Sequence, residues 1–314
     1  MPLYVLCDLG VRVDADAPLH GLGLTALLHD LSFAQVAHAD IPEAPLVLSV
    51  RRTDGPAPVP HEPQTRVEWD GLTVYRSGEE TYVSDGSSVL HLRPSQARGE
   101  AWLAPAFLQQ PLVRRQRFWG YGLVKLLRTR GAYALHAAGV RAPCGRTILL
   151  IGPTGSGKST LAVGLVRHGW GYLSDDAVLL RRRGDHVHAI AFRRAFSVYR
   201  RQRKCRIDVH AEHPGRHVAV APPQLLVFPH IVPRARSRMR RLAASDAMGR
   251  LLREGGPELY DRDTMGAHLG LLASLLQQAP AYALCAGRDL YTRPTRLLHA
   301  IRRADGTGHG PHRP

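Results

Sequence analysis

The segment TILLIGPTGSGKST, residues 147–160, decides the fold of this chain. An apolar run over 147–151 is followed by the spacing Gly-x-x-x-x-Gly-Lys-Ser, and the pattern then predicts an apolar-faced helix over 159–168. Glycines at this spacing let successive backbone N–H groups curl around an anion, because they reach positive φ and leave no side chain in the way. The segment therefore predicts a strand, a phosphate-binding loop and a helix within an α/β core.

Each part of this loop has an expected role in binding a nucleotide. The Lys158 ammonium can reach the β and γ phosphates, the Ser159 hydroxyl can ligate magnesium, and the helix that follows presents its positive dipole end to the same charge. The predicted cofactors are therefore ATP and Mg²⁺. The candidate nucleotide-binding residues are Gly152, Pro153, Thr154, Gly155, Ser156, Gly157, Lys158, Ser159 and Thr160.

Two adjacent carboxylates follow the next short apolar strand. Asp175 and Asp176 come directly after residues 171–174, at a carboxyl strand end that is expected to face the phosphate loop. One carboxylate can hold magnesium, directly or through water, and the other can accept the proton of an attacking hydroxyl. We therefore predict Ser159, Asp175 and Asp176 as metal-site residues and the aspartate pair as catalytic, with the division of roles between the two left open.

The chain falls into three predicted regions. Residues 1–105 carry short alternating segments separated by turn signals, which predict a mainly antiparallel β domain. Residues 106–304 form the predicted catalytic domain, with a helical lead-in at 106–131, and residues 305–314 form a Gly/Pro/His-rich tail that is expected to be disordered. The strands expected in the first region are 46–51, 65–69, 72–76, 81–83 and 89–92.

Beyond the lead-in the pattern changes to alternating strands and helices, which is typical of an α/β core. A helix is expected to begin at an N-cap on Ser245 and to run to residue 255. The other strands expected here are 133–140, 171–174, 177–182, 187–192 and 282–285, and the other helices 263–278 and 295–303.

Composition bounds the class of protein. The 314 residues are 44% hydrophobic and 22% charged, which suits a globular chain that buries a sizeable core. No apolar run approaches the roughly 18 residues of a membrane span, and no signal peptide is apparent at the N-terminus. The four cysteines are scattered without a Cys-x-x-Cys pair, so neither a disulfide framework nor a zinc knuckle is expected. These features predict a cytoplasmic protein with no membrane partner.

The net charge of +16 is concentrated in one stretch. Residues 181–241 hold 15 Arg and one Lys against three acidic residues, a net charge of +13. Such a block attracts an acidic partner, whether nucleotide phosphates, an acidic peptide or nucleic acid. The alternative is compositional, since the chain uses Arg in preference to Lys throughout. No helix-turn-helix, zinc module or aromatic-interleaved basic sheet is evident, which disfavours nucleic acid.

The core resembles the catalytic domain of HPr kinase/phosphorylase, which is distantly similar to phosphoenolpyruvate carboxykinase. The shared order is a histidine-bearing strand (LHAAGV, 135–140), the phosphate loop, a helix, and a strand ending in Asp-Asp (GWGYLSDD, 169–176). Looser segments at 225–229, 245–248 and 282–289 are similar to HPr-kinase-like proteins of bacterial peptide-modification pathways, including lasso-peptide tailoring kinases that phosphorylate a precursor peptide. This resemblance implies an α/β core of the HPr kinase type.

The resemblance also implies roles for individual residues. Lys158 and Ser159 bind the ATP phosphates and magnesium, the aspartate pair supplies the base and a second metal contact, and His136 lies beside the phosphate or metal site. Thr160 stands where HPr kinases commonly have an acidic residue, and the glycine-containing signature expected after the aspartate pair is absent from 189–206, so phosphorolysis is not expected. Arg193 and Arg194 stand there instead and are candidates to neutralise a γ-phosphate or an acidic substrate.

Three functions remain open at this point. The first is an ATP-dependent kinase acting on a Ser or Thr hydroxyl of a peptide or protein, which the aspartate pair, the resemblance and the basic block favour. The second uses the same chemistry on a small-molecule hydroxyl. The third is a nucleotide-binding regulator or nucleic-acid-binding ATPase. HPr kinases assemble through their catalytic domains, and no surface stripe in this sequence predicts the same assembly.

Overall fold

The computed structural model describes residues 1–16, 22–37, 41, 43–55, 57–69, 71–194, 196–200, 203–255 and 262–304, without the side chains of residues 197, 199, 200, 203, 204, 262 and 302. The chain divides into two compact units, Met1–Tyr133 and Ala134–Pro314. The tail at 305–314, expected to be disordered, lies outside the described residues.

The first unit is built on a nine-stranded sheet whose order is β3-β1-β2-β4-β9-β8-β7-β6-β5. Its elements, in chain order, are β1 Leu3–Leu6, β2 Leu9–Ala15, α1 Leu24–Asp30, β3 Ala34–Val36, β4 Leu46–Arg52, β5 Thr65–Trp69, β6 Leu72–Ser77, β7 Glu80–Ser84, β8 Val89–Arg93, β9 Arg98–Leu103, α2 Pro105–Gln109 and α3 Leu112–Arg128.

The predicted antiparallel meander is confirmed for β5 to β8, and β9 extends it in sequence order. It was wrong for β4, which is parallel to both of its neighbours. Two pairs of the same sheet are parallel, β2 with β4 and β4 with β9. These pairs were not predicted, because parallel neighbours are joined by long crossovers that leave no turn signal between them. The strands β1, β2, β3 and β9 were also not predicted.

The boundary between the compact units differs from the predicted one at residue 105. Helix α3, expected to lead into the catalytic domain, packs on β7, β8 and β9 of the first unit. Its Phe118 and Trp119 are buried, and the Phe118 ring lies 5.0 Å from that of Phe107 in an edge-on arrangement. The helix therefore completes the core of the first unit, because its apolar face needs a sheet to cover it.

The second unit contains both strands and helices, but they do not alternate regularly as predicted, since five strands follow one another between α4 and α5. Its elements are β10 Tyr133–Leu135, β11 Ala137–Arg141, β12 Thr147–Ile151, α4 Lys158–Arg167, β13 Gly171–Ser174, β14 Val178–Arg183, β15 His186–Ala191, β16 Phe196–Arg200, β17 Arg203–Ile207, α5 Val209–Glu212, β18 Val220–Ala221, β19 Leu225–Ile231, β20 Arg238–Arg241, α6 Ala244–Glu254, α7 Arg262–Gln278, β21 Ala281–Ala286, α8 Arg288–Thr292 and α9 Arg296–Ala304.

A six-stranded sheet of order β13-β11-β12-β19-β21-β20 forms the centre of this unit. Its strands β12, β19 and β21 are mutually parallel, so their carboxyl ends share one edge of the sheet. The core beneath it is apolar and includes Ile148 and Leu150 of β12 together with Leu161 and Leu165 of α4. The predicted α/β phosphate-loop core, preceded by a mainly antiparallel β unit, is therefore confirmed.

Several predicted bounds change. The strand expected over 133–140 is two strands, β10 and β11, separated at His136. Helix α6 has Ala243 at its N-cap, and Ser245 already lies in the first turn. A hairpin, β16 with β17, follows Arg193 and Arg194 and was not predicted.

Two further observations concern the described residues as a whole. None of their helices combines the length and the apolar character that a membrane span requires. None of the four cysteines forms a disulfide.

Candidate active site

The phosphate loop joins the end of β12 to the start of α4. Gly152, Gly155 and Gly157 have φ of 156°, 85° and 95°, a region that favours glycine. A Cβ on Gly152 would approach the Ser156 hydroxyl to 3.1 Å, and one on Gly157 would collide with the hydroxyl of Tyr291. The sequence folds this way because only glycine fits these backbone angles in so little space.

Lys158 is the first residue of α4 and is 5% exposed. Its ammonium donates hydrogen bonds to the carbonyl oxygens of Gly152 and, at 3.1 Å, Pro153. Burial lowers the pKa of Lys158, and the nearby carboxylates of Glu254, Asp175 and Asp176 act in the opposite direction. A buried cation in this position is stabilised by anionic oxygens, which the phosphates of a nucleotide would supply.

Ser159 and Asp175 lie together, as the sequence predicted. The Ser159 hydroxyl donates to Asp175 Oδ1 at 2.7 Å, and Asp175 is fully buried at the end of β13. No three or more His, Cys, Asp or Glu side chains form a metal cluster among the described residues. Mg²⁺ in nucleotide sites takes one or two carboxylates with substrate phosphates and waters, and a hydroxyl beside one buried carboxylate fits that donor set.

Asp176 has a different environment from its neighbour. Its backbone adopts φ of 66°, which is uncommon for a residue with a side chain, and the side chain is 50% exposed. The His136 Nε2 atom lies 3.2 Å from Asp176 Oδ1. The left-handed turn therefore directs the two carboxylates to different surroundings, one to the buried serine and one to the open side.

His136 occupies the break between β10 and β11, where its side chain reaches two carboxylates. Its Nδ1 lies 3.2 Å from Glu254 Oε2, and its backbone N–H donates to the Glu254 carbonyl at 3.0 Å. Glu254, the last residue of α6, was not predicted from the sequence, because no motif surrounds it and it is far from His136 along the chain. A carboxylate-histidine-carboxylate series, Glu254, His136 and Asp176, thus leads to the site.

The two candidate substrate arginines separate in the structure. Arg193 Nε lies 3.9 Å from Asp176 Oδ2, and the Arg193 N–H donates to the Ser174 hydroxyl at 2.6 Å, which fixes this segment to the end of β13. Arg194 instead lies near Tyr172. Burial and the Asp208 carboxylate raise the pKa of Tyr172 to about 12, and the positive charge of Arg194 acts in the opposite direction. Arg193 is therefore the arginine associated with the aspartate pair.

A cavity of about 280 Å³ opens where these elements meet. Ile231, at the end of β19, joins the predicted residues in its lining and was not predicted. Gly152, Pro153 and Ser156 are not part of the lining, and Ser156 Oγ is buried without a hydrogen-bond partner among the described residues. The lining residues are His136, Thr154, Gly155, Gly157, Lys158, Ser159, Thr160, Asp175, Asp176 and Ile231.

Together the loop, the lysine and the serine-carboxylate pair define a phosphate-loop nucleotide site. The family model described as "AAA domain" matches residues 148–252, which contain the loop, Lys158, Ser159 and Asp175. His136 and Glu254 lie outside the matched residues. The α/β core and its loop thus belong to the phosphate-loop class.

Two similar proteins carry a more specific name. HPr kinase/phosphorylase of Chlorobium limicola (strain DSM 245 / NBRC 103803 / 6330) is 45% identical over 44 residues, which span 14% of this chain and only 13% of that protein. The Hpr(Ser) kinase/phosphatase from Coxiella burnetii is a structural match with 12% identity and a TM-score of 0.34, covering 56% of this chain and 99% of that one. At that score the structural match carries no argument. The short sequence match bears the name of the family that the sequence resembles.

Proposed function

We propose that this protein is an ATP-dependent kinase that transfers the γ-phosphoryl group to a Ser or Thr hydroxyl of a peptide or protein. The observation that carries the proposal is the pair of adjacent carboxylates with different surroundings beside the phosphate loop. Asp175 is buried on the Ser159 hydroxyl, and Asp176 is half-exposed in the cavity. The buried Asp175 carboxylate thus suits metal binding, and the half-exposed Asp176 carboxylate suits the role of a general base.

The loop and Lys158 bind the nucleotide phosphates. Backbone N–H groups at the start of α4 and the Lys158 ammonium supply positive charge to the β and γ phosphates. Ser159 and Asp175 are the residues that would hold Mg²⁺, which supplies charge neutralisation to the phosphate oxygens when bound. On binding, Lys158 exchanges its carbonyl partners for phosphate oxygens.

Asp176 serves as the general base in the transfer step. Its carboxylate accepts the proton of the acceptor hydroxyl while the hydroxyl oxygen forms a bond to the γ-phosphorus. The bond from that phosphorus to the oxygen bridging to the β-phosphate breaks, and ADP leaves with the electron pair. His136, held by Glu254, positions Asp176, and Arg193 adds positive charge beside it.

The half-exposed position of Asp176 supports a peptide or protein as acceptor. The cavity around it opens to solvent, so a side-chain hydroxyl on a larger chain can reach the base. The short match to a protein named HPr kinase/phosphorylase supports phosphoryl transfer, and the choice of a Ser or Thr hydroxyl follows from the sequence resemblance. The sequence resemblance suggests a precursor peptide of a natural-product pathway as the substrate. The reaction would then take place in the cytoplasm.

Transfer of label from γ-labelled ATP tests the proposal. The protein is incubated with Mg²⁺ and a panel of Ser- and Thr-containing peptides, and labelled peptides are identified by mass spectrometry. The Lys158→Ala variant is expected to lose at least about 10²-fold in transfer. Arg167→Ala is the matched control, since Arg167 is a cation in the last turn of the same helix and pairs with Glu212.

Three outcomes would contradict the proposal. Slow ATP hydrolysis without any labelled peptide would remove the kinase, and label on small hydroxyl compounds alone would shift the acceptor class. Full activity of the Lys158 variant would remove the site. Salt-dependent binding of DNA or RNA with no transfer would favour the nucleic-acid-binding ATPase instead.

A further inference from the structure

A second cavity, of about 750 Å³, lies in the second unit between strand β20 and helix α9. From α9 it is lined by residues 296, 299, 300, 303 and 304, which form one stripe of the helix because they recur every three or four positions. From the other side it is lined by residues 236–239, at the start of β20. We call this cavity the β20–α9 groove.

The groove is strongly basic. Among the described residues, Arg236, Arg238, Arg296 and Arg303 line it together with a single carboxylate, that of Asp289. Within the described part of the chain, Arg236, Arg238 and Arg303 make no ion pair. The Asp289 carboxylate lies 4.0 Å from Arg296, so the lining keeps an excess of positive charge. Unpaired guanidinium groups around one concave surface attract carboxylates or phosphates.

The rim that carries these arginines is a built structure. Asp289 Oδ1 accepts hydrogen bonds from the Ser237 N–H at 3.0 Å and from the Ser237 hydroxyl at 2.6 Å. The Gly287 N–H donates to the same hydroxyl at 2.8 Å, and a Cβ on Gly287 would approach the Arg234 carbonyl to 2.8 Å. The loop before β20 is thus fixed to the start of α8, so the backbone that carries Arg236 and Arg238 is held in place before any ligand binds.

The groove lies at the same sheet edge as the phosphate loop. Strands β12, β19 and β21 are parallel, and Arg238 at the start of β20 pairs with Cys285 at the end of β21. Helix α8 connects the two sites, since Leu290 lines the groove and the Tyr291 hydroxyl adjoins Gly157 of the loop. A chain lying in the groove can therefore extend toward the nucleotide site.

Strand β20 also offers a backbone edge. It is the last strand of its sheet and has a strand neighbour on one side only among the described residues. The Leu242 N–H donates to the Ala281 carbonyl at 2.8 Å, so the antiparallel alternation turns the backbone groups of Met239 and Arg241 away from β21. An extended peptide can pair with such an edge. Among the described residues that line the groove there is no Phe, Tyr or Trp, so these residues offer no stacking surface for nucleic-acid bases.

We propose that the β20–α9 groove binds an acidic, extended segment of the peptide substrate and thereby presents its hydroxyl to the nucleotide site. This inference rests on the proposed kinase function, because the bound peptide is a substrate only if the protein is a kinase. Binding itself can be measured without ATP. The arginines select carboxylate side chains, and the β20 edge selects an extended backbone.

Fluorescence anisotropy tests the binding step. The probe is a labelled peptide in which Glu alternates with Ser and Gly, and its uncharged counterpart carries Gln in place of Glu. The Arg238→Glu/Arg303→Glu variant is expected to weaken binding of the Glu probe by about tenfold or more, because two attractive contacts become repulsive. Arg146→Glu is the matched control, since Arg146 is exposed just before the start of β12, at the opposite sheet edge. Circular dichroism confirms folding of both variants.

The outcomes separate this inference from the proposed function. Equal binding of the Glu and Gln probes, or unchanged binding by the double variant, overturns the groove. A loss of ATP affinity as large as the loss of peptide affinity assigns the groove to the nucleotide and likewise overturns it. Arginine-dependent binding without any phosphoryl transfer supports the groove and removes the kinase. Transfer with a raised peptide KM and an unchanged kcat in the double variant supports both.

Discussion

The two compact units use their charged side chains in different ways. In the first, charges pair with one another: Arg93 lies 3.6 Å from Glu80 and 3.7 Å from Glu100, and Arg51 lies 2.7 Å from Asp14. The cavities described there are only about 10 Å³. In the second unit, cavities of about 280 and 750 Å³ are lined by lysine, arginine and carboxylate side chains.

This difference teaches where chemistry is to be expected. Charges that neutralise each other over a sheet face stabilise that sheet modestly and leave no site for a ligand. Charged side chains that line a cavity can bind a ligand group of opposite charge. The proposed nucleotide and substrate sites accordingly both lie in the second unit.

The largest expected effect separates the two aspartates of the second unit. Asp176→Asn is expected to lower kcat by about 10²–10⁴-fold and to leave nucleotide affinity unchanged, because it removes the proposed base and keeps the side-chain shape. Asp175→Asn is expected to weaken Mg²⁺-dependent nucleotide binding as well, since it removes the proposed metal ligand. Steady-state kinetics and calorimetric titration of ATP with and without Mg²⁺ measure both.

Asp246→Asn is the control for these variants, because Asp246 is an exposed carboxylate in the first turn of α6. The assignment of roles is reversed if Asp175→Asn affects kcat alone and Asp176→Asn affects metal-dependent binding. If neither variant changes transfer, the pair has no part in the chemistry.

The next effect tests whether the first unit is structural. Phe118 is fully buried, so Phe118→Ala is expected to lower the free energy of unfolding of the first unit by about 3–5 kcal/mol through lost burial and a residual cavity. Nucleotide affinity is expected to stay unchanged at temperatures where the first unit remains folded. Hydrogen exchange measured by mass spectrometry follows α3 separately from α4.

Val113→Ala provides the comparison on the same helix, since Val113 is 58% exposed. A fall in ATP affinity that matches the loss in Phe118→Ala stability would break the division between the two units. Equal destabilisation by the Val113 variant would contradict the position of Phe118 in the core.

The local parts of the site could be predicted from the sequence, and the distant parts could not. The phosphate loop and the aspartate pair are close in sequence, and the strand-loop-helix order fixes their relation. Glu254 reaches His136 only because α6 returns to the break between β10 and β11, and that approach depends on tertiary packing. The same reasoning covers the fold, since the β5 to β9 meander has turn signals and the parallel β2–β4 and β4–β9 pairs have none.

The β20–α9 groove shows the same limit. Its arginines come partly from the basic stretch 181–241 and partly from the last helix, so net charge located a basic region without predicting a concave surface. The fold divides that stretch among unrelated contacts, since Arg182 donates to Ser274 and Arg216 to the Val166 carbonyl. Of the described arginines in the stretch, Arg236 and Arg238 are those that line the groove.

A smaller effect sharpens the role of Glu254. Glu254→Gln is expected to lower kcat by about tenfold with KM for ATP unchanged, because His136 then holds Asp176 less accurately. Glu254→Asp is expected to recover part of the loss, since it restores the carboxylate. If Glu254 had only a structural role, both variants would instead lower the free energy of unfolding, and kcat per folded molecule would stay unchanged.

Combining Glu254→Gln with His136→Gln provides a further check. If Glu254 acts through His136, the double variant is expected to be no slower than His136→Gln alone. Additive losses would show that Glu254 influences transfer by another route, and Lys158 would then be the first group to test, because Glu254 also raises its pKa.

The smallest effect concerns pH and the first unit. His91 is buried and stacks on Tyr82 with ring centres 4.1 Å apart. Burial lowers the pKa of His91 below its ordinary 6.5, and the hydrogen bond with Glu80 only partly opposes this. The unfolded chain therefore binds a proton more readily than the folded one, so stability is full above pH 6.5 and decreases as the pH falls from there toward the folded pKa.

Urea unfolding of the first unit at pH 7 and pH 5 measures the change, which we expect to be about 0.2–1 kcal/mol for this partly exposed pair. His91→Phe keeps the stacked ring and removes the titrating group, so its pH slope over this range is expected to flatten. His61→Phe, at an exposed histidine of the same unit, should leave the slope as it is. An unchanged slope in the His91 variant would show that a group other than His91 titrates over this range and would contradict the assignment.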